Sequence, residues 1–213
     1  MGLELGVQIP YAEMHDRNGM ATLARVAEDA GFHSLWASEL YSFDVFTSLT
    51  HLALATTRIR IGTNVANVYA RTPATLASSA ASLDQISGGR FILGIGVSGP
   101  QVVQGWHGVP YEQPLARTEE TIDVVRAVLR REKLPLSGGE GAVRGLRLIN
   151  PPLRAEIPIY VAAIGPRNVE LAAARGDGWL PIFFSTARAM DVFGPSLEAG
   201  CARAGRSPLE TRG

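Results

Sequence analysis

The chain has 213 residues, 46% of them hydrophobic and 19% charged, which is enough apolar material to bury a sizeable core. Twenty basic and twenty acidic residues cancel, with no basic block and no aromatic-basic interleaving, so nucleic acid and anionic membrane are poor partners and a small molecule is the expected one. Cys201 is the only cysteine, which rules out an internal disulfide and a cysteine-rich zinc site and fits a reducing, cytoplasmic compartment.

The N-terminus enters strand-like sequence directly, without the charged and apolar regions of a signal peptide, and no apolar run approaches the roughly 18 residues of a membrane span. Leu3, Leu5, Val7 and Ile9 alternate with Glu4, Gly6 and Gln8, which predicts a first strand ended by Pro10. From Gly19 the period lengthens. Met20, Leu23, Val26, Ala27 and Ala30 share a helical face, and Gly31 supplies a left-handed stop. Phe32 to Ser38 reads as a second strand and Phe43 to Ala55 as a second helix that buries Phe46, Leu49, Leu52 and Ala53. Arg58 to Gly62 is the third strand. Pro73 opens a third helix that Leu76, Ala80, Leu83 and Ile86 carry to Gly88-Gly89.

The fourth strand, Arg90 to Gly96, runs into glycine-rich backbone, where Gly94, Gly96 and Gly99 have the G-x-G-x-x-G spacing of a dinucleotide loop. A polar passage from Gly105 to Pro114 leads to a helix over Ala116 to Arg131 with Ile122, Val125, Val128 and Leu129 inward. An insertion at about 132–157 carries the turns Ser137-Gly138-Gly139 and Asn150-Pro151-Pro152, which bracket a small hairpin at Ala142 to Ile149. Ile157 to Ala163 is a fifth strand, Pro166 to Arg175 a helix ended by Gly176, and Trp179 to Phe184 a sixth strand before a last helix.

Helix, glycine, then a strand holding tryptophan occurs at Ala27 to Trp36 and again at Ala172 to Trp179, the mark of a repeated βα unit. Regular repetition predicts a parallel sheet, either open and doubly wound or closed as a barrel. A dinucleotide fingerprint belongs after the first strand, where Pro10-Tyr11-Ala12-Glu13 has no glycine; here the motif follows the fourth, which disfavours the doubly wound reading.

Four segments in this order carry a resemblance: Arg58 to Val65, Gly89 to Gly96, Ser98 to Gly108, and Pro158 to Pro166 followed by Asp177-Gly178-Trp179. The sequence resembles the bacterial-luciferase-like oxidoreductases, most closely the branch that uses the deazaflavin coenzyme F-420, over about Leu3 to Phe184. The resemblance implies an α/β fold of the TIM (β/α)8 barrel type with a flavin or deazaflavin at the C-terminal mouth. It also implies a departure, since only about six βα units are present in what is read as one incomplete barrel domain over 1–213. Such a sheet leaves two strand edges open, which points to a fragment or a naturally shortened member. A homodimer is implied as well, with the apolar face from Phe43 to Leu54 as a candidate surface, although a buried barrel helix would read the same way.

By the same resemblance, Thr63, Asn64 and Val65 form a bulge whose cis peptide between Asn64 and Val65 backs the ring system, and Gly96, Val97, Ser98 and Gly99 approach the polyol and phosphate. Ala162, Ala163, Ile164, Gly165, Pro166 and Arg167 form an anion pocket at a helix N-terminus, and Glu39 is a candidate catalytic acid. From the residues alone each has a plainer reading: an ordinary barrel bulge, a tight turn, a solvated arginine and a surface salt bridge. Ser98 lacks the spacing of a hydrolase elbow. The sugar-phosphate dehydrogenase branch has a histidine and a glutamate where this sequence has Leu40 and Gly99, so that substrate is not carried over. His15, His33, His51 and His107 are scattered without ligand spacing, and no metal is expected; Trp36, Trp106 and Trp179 are read as core or wall aromatics.

The expected activity is hydride transfer between coenzyme F-420 and an unidentified organic substrate. An FMN-dependent monooxygenase competes with it, as does a non-catalytic barrel fragment that binds a cofactor weakly or a partner chain.

Overall fold

Parallel strands require crossovers, and the amphipathic segments between the apolar runs provide them. The computed structural model describes residues 4–11, 16–132, 146–185 and 187–207. The strands are β1 (Gly6–Gln8), β2 (Ser34–Ala37), β3 (Arg60–Thr63), β4 (Ala66–Asn67), β5 (Phe91–Gly96), β6 (Ile159–Ala162) and β7 (Gly178–Leu180). The helices are α1 (Arg17–Asp29), α2 (Val45–Ala55), α3 (Pro73–Ser87), α4 (Pro100–Gly105), α5 (Pro114–Leu129), α6 (Pro166–Arg175) and α7 (Ala189–Ala204). The strands run β1-β2-β3-β5-β6-β7, all parallel, with β4 paired to β5. The sheet curls into a half-barrel that, among the described residues, is open at β1 and at β7.

Every residue of β5 is buried, as expected of a central parallel strand covered on both faces. Around it Leu35, Ile61, Leu76, Leu93, Ile95, Ile122 and Ile159 are fully enclosed. Helix starts follow local chemistry. Asp16, Asp44 and Thr72 cap α1, α2 and α3 through their side chains, and Pro73 occupies the first turn of α3. Gly88 ends α3 in the left-handed region at φ 67°. Among the described residues no helix is long and apolar enough to cross a membrane.

Several expected elements differ. β1 is shorter than its alternation, and Leu5 is exposed because the strand lies at the sheet edge, where Val7 and Ile9 meet the core. α1 buries Met20, Ala21, Ala24 and Ala27, so its inward face is rotated from the expected one and Val26 faces solvent. The sixth strand stops at Leu180 rather than Phe184, since Pro181 offers no ladder donor and Phe183 has φ 56°. α4 was not expected; six residues are too few to set a helical period. The segment 133–145 and His15 lie outside the described residues, and with that segment most of the expected hairpin; its last residues, 146–149, form no strand. The apolar side of α2 is largely spent internally, with Val45, Phe46, Leu49, Leu52 and Ala53 buried, whereas Phe43 just before the helix and Leu54 near its end are exposed.

Glu28, near the end of α1, secures the turn into β3. Its carboxylate accepts from the backbone N–H groups of Thr57, Arg58 and Ile59 at 3.0, 2.6 and 2.8 Å and from the Thr57 hydroxyl at 3.2 Å. Burial pushes its pKa up, but these hydrogen bonds outweigh burial and hold it at about 2 against an ordinary 4.5. A lowered carboxyl pKa stabilises the fold fully above 4.5, and that contribution disappears as the pH falls toward 2. Thermal melts from pH 7 to 2 are expected to show this acid loss in the wild type and a flatter profile in Glu28→Gln; parallel profiles would contradict it.

Candidate active site at the C-terminal strand ends

The site begins with a bulge. Gly62 faces Ile92 and Ala66 faces Ile95, so Thr63, Asn64 and Val65 oppose only Leu93 and Gly94 across the ladder. One extra residue on β3 breaks the strand into β3 and β4 and turns the backbone outward. The peptide between Asn64 and Val65 is cis. Thr63 repairs the gap with its buried hydroxyl, which donates to the Gly94 carbonyl at 2.7 Å and accepts from the Gly94 N–H at 2.8 Å.

Glycines let the bulge approach its neighbours. A Cβ on Gly94 would lie 1.8 Å from the Thr63 carbonyl oxygen, and one on Gly96 would lie 2.7 Å from Val65 Cγ2 and 3.3 Å from Ala162 Cβ. Val65, Gly96 and Ala162 therefore meet, and three of the expected segments form one wall. Beyond it Val97, Ser98 and Gly99 are half-buried, with Ser98 at φ 56°, and Gly99 leads into α4. On the other side Ala163 is buried and its carbonyl accepts from Trp179 Nε1 at 2.9 Å. Gly165 starts α6 without a capping side chain among the described residues, and the space where its Cβ would stand is open. Pro166 and Arg167 are exposed beside it, as is Ile164.

Glu39 sits in a buried ion pair rather than a surface one. Arg71 Nη1 lies 2.7 Å from Oε2 and 2.5 Å from Oε1, and the backbone N–H of Asn67 donates to Oε2 at 2.9 Å. Arg71 also pairs with Asp44 and stacks 5.0 Å from the centre of the Phe46 ring. Burial raises the Asp44 pKa, but hydrogen bonds from the Thr47 N–H and hydroxyl, together with Arg71, leave it below the ordinary value. The Glu39 N–H donates to the Val65 carbonyl at 3.3 Å, so both ends of the residue hold the bulge.

Four residues around the bulge were not anticipated: Gln8, Ser38, Asn67 and Arg71. Their partners are distant in the chain, Gln8 and Ser38 joining Asn64 while Asn67 and Arg71 join Glu39, and no spacing in the chain points to them. His33 lies 3.3 Å from Glu4, His51 bonds the Arg17 carbonyl at 2.8 Å, and half-buried His107 finds no partner for its Nε2 among the described residues. No group of potential metal ligands exists among the described residues. Trp36 fills the interior beside Gly62, whereas Trp106, at the end of the short α4, is largely exposed rather than part of the wall.

The model of the luciferase-like monooxygenase family matches residues 4–212. The chain belongs to this family. This luciferase-like chain is 45% identical over 216 aligned positions to Rv3520c of Mycobacterium tuberculosis, named as a coenzyme F-420-dependent oxidoreductase, an alignment covering 96% of this chain and 62% of the relative. It is 39% identical over 192 positions to 5,10-methylenetetrahydromethanopterin reductase of Methanolobus tindarius, covering 90% of this chain and 58% of the relative. The structure of the coenzyme F-420-dependent tetrahydromethanopterin reductase from Methanopyrus kandleri superposes with a TM-score of 0.87 at 27% identity, over 99% of this chain and 64% of that one. The luciferase-like chain thus spans about three fifths of the length of these relatives.

Proposed function

We propose that the strand ends of this chain hold coenzyme F-420 and that the protein serves hydride transfer between this deazaflavin and an organic small molecule. When bound, the deazaflavin supplies the hydride-carrying carbon. The chain supplies shape, orientation and exclusion of water. The observation that carries this reading is the wall where Val65 meets Gly96 and Ala162, which presents backbone and methyl groups suited to a flat ring.

The remaining donors suit the rest of such a molecule. The uncapped start of α6 at Gly165 and the exposed Arg167 beside it favour an anionic phosphate tail through backbone amides, helix dipole and guanidinium together. Thr63, Asn64 and Val65 then back the ring, Gly96 through Gly99 flank the polyol, and Ala162 through Arg167 hold the tail. Glu39 serves as a brace under the bulge, because its carboxylate is committed to Arg71 and the Asn67 N–H. The 45% identity between this chain and Rv3520c favours F-420 over FMN.

Titration of the 213-residue chain with F-420, and separately with FMN, tests the reading by absorbance and fluorescence. Saturable F-420 binding is expected. Saturation by FMN alone would select the monooxygenase reading, and binding of neither would leave a non-catalytic barrel segment. Cytoplasmic residence, a homodimer, and one incomplete barrel domain over 1–213 with an insertion at about 132–157 belong to the same proposal. A monomer at every accessible concentration in solution sizing would remove the dimer.

A further inference from the structure

Three polar side chains from three strand ends close a ring at the rim of the mouth. Gln8 is the last residue of β1, Ser38 follows β2 and Asn64 follows β3. Gln8 Nε2 donates to Ser38 Oγ at 3.0 Å, Ser38 Oγ donates to the Asn64 carbonyl at 2.7 Å, and Asn64 Nδ2 donates back to Gln8 Oε1 at 3.2 Å. The polarity is determined throughout. A serine hydroxyl has one proton, so with that proton on the Asn64 carbonyl Ser38 can only accept from Gln8, and Gln8 then turns its oxygen to Asn64.

The sheet does not need this ring, since β1, β2 and β3 are already joined by backbone ladders. Gln8 is exposed, and Ser38 and Asn64 are half-buried, so water could satisfy all three. What the ring accomplishes is orientation. It holds the carbonyl of Asn64, the residue directly before Val65, and Val65 is the side chain that abuts Gly96. From the next position on the same loop the Glu39 N–H holds the Val65 carbonyl, so the carbonyls of Asn64 and Val65 are both tied to the residues that follow β2.

We infer that Ser38 and Gln8 are positioning residues that set the angle of Asn64-Val65 against Gly96, and through it the affinity of the wall for a flavin-type ring. This rests on the cofactor reading above. Ser38 acts through the Asn64 carbonyl, and Gln8 acts through Ser38 by making acceptance, not donation, the only role left to Oγ on that side.

The relay gives a test that a purely structural role would not pass. In Gln8→Glu an ionised carboxylate has no proton to donate, so it draws both the Asn64 amide and the Ser38 hydroxyl toward itself and the Asn64 carbonyl loses its donor. A protonated carboxyl regains one donor, and the ring closes again. F-420 affinity of Gln8→Glu is expected to be about tenfold below wild type at pH 7, the worth of roughly one hydrogen bond. It should return to within about twofold of wild type at pH 4, below the ordinary glutamate pKa of about 4.3. Ser38→Ala should lose affinity by about the same factor without a change in far-ultraviolet circular dichroism, and Ser38→Thr, which keeps the hydroxyl, should restore it.

Wild-type binding of F-420 with unchanged affinity in Ser38→Ala and in Gln8→Glu at both pH values would overturn the positioning role alone. Failure of the wild type to bind F-420 would overturn the cofactor reading and the role with it. Should Ser38→Ala not fold, the pH profile of Gln8→Glu decides, because Gln8 is exposed.

Discussion

Gly94→Ala is expected to prevent this chain from folding. The new Cβ would stand 1.8 Å from the Thr63 carbonyl oxygen and 3.0 Å from Leu180 Cδ1, against the roughly 3.5 Å at which non-bonded heavy atoms rest. The obstructing atom is backbone, and it cannot withdraw cheaply. The Thr63 hydroxyl bonds both the carbonyl and the N–H of Gly94, and Gly94 is in register with Tyr160 on β6. A shift on either side opens the central ladder. The cost should exceed about 4 kcal/mol, in the range reserved for severe overpacking and comparable with the whole 5–15 kcal/mol margin of a domain. Soluble yield and a urea unfolding curve measure it. Gly105→Ala is the control, since nothing lies within 4 Å of its Cβ position. Equal unfolding midpoints for the two variants would show that the contact is relieved without loss.

Arg71→Met is expected to cost about 3–5 kcal/mol, the penalty for stranding one member of a buried ion pair, and so to lower the melting temperature by roughly 10 °C. The Glu39 side chain is only 7% exposed, so water cannot replace the guanidinium. Methionine keeps much of the contact with Phe46, so the stability difference reports charge more than packing. Adding Glu39→Gln to Arg71→Met removes the stranded charge while an amide oxygen still accepts from the Asn67 N–H. The double variant should recover at least half of the lost stability. No recovery would mean that Arg71 acts mainly through its stacking on Phe46, and Glu39 would lose its place as the brace of the bulge.

The glycine spacing at Gly94, Gly96 and Gly99 shows how similar letters can serve different physics. In a dinucleotide loop the first two glycines admit a tight turn and a pyrophosphate. Here Gly94 admits the Thr63 carbonyl and Gly96 admits the Val65 side chain. The demand for bare backbone was visible in the chain, but what approaches it was not, because the approaching groups come from residues about thirty positions earlier. Glu39 shows the same limit. An acid at a strand end is visible in the chain, yet its partner Arg71 is 32 residues away, and no local pattern distinguishes a buried pair from a solvated carboxylate.

By itself the sequence determined the order of βα units, the start of α3 at Pro73, the bounds of α6 and the membership of the luciferase-like family. All of these rest on local periodicity, on capping chemistry within one turn, or on runs of neighbouring residues. Only the tertiary structure decided the split of the third strand into β3 and β4, the buried state of Glu39 and the ring of Gln8, Ser38 and Asn64. Each of these joins residues distant in the chain. Strand register and bulge position set such meetings, and a one-residue offset in the ladder, invisible to a period-two pattern, changes which side chains converge.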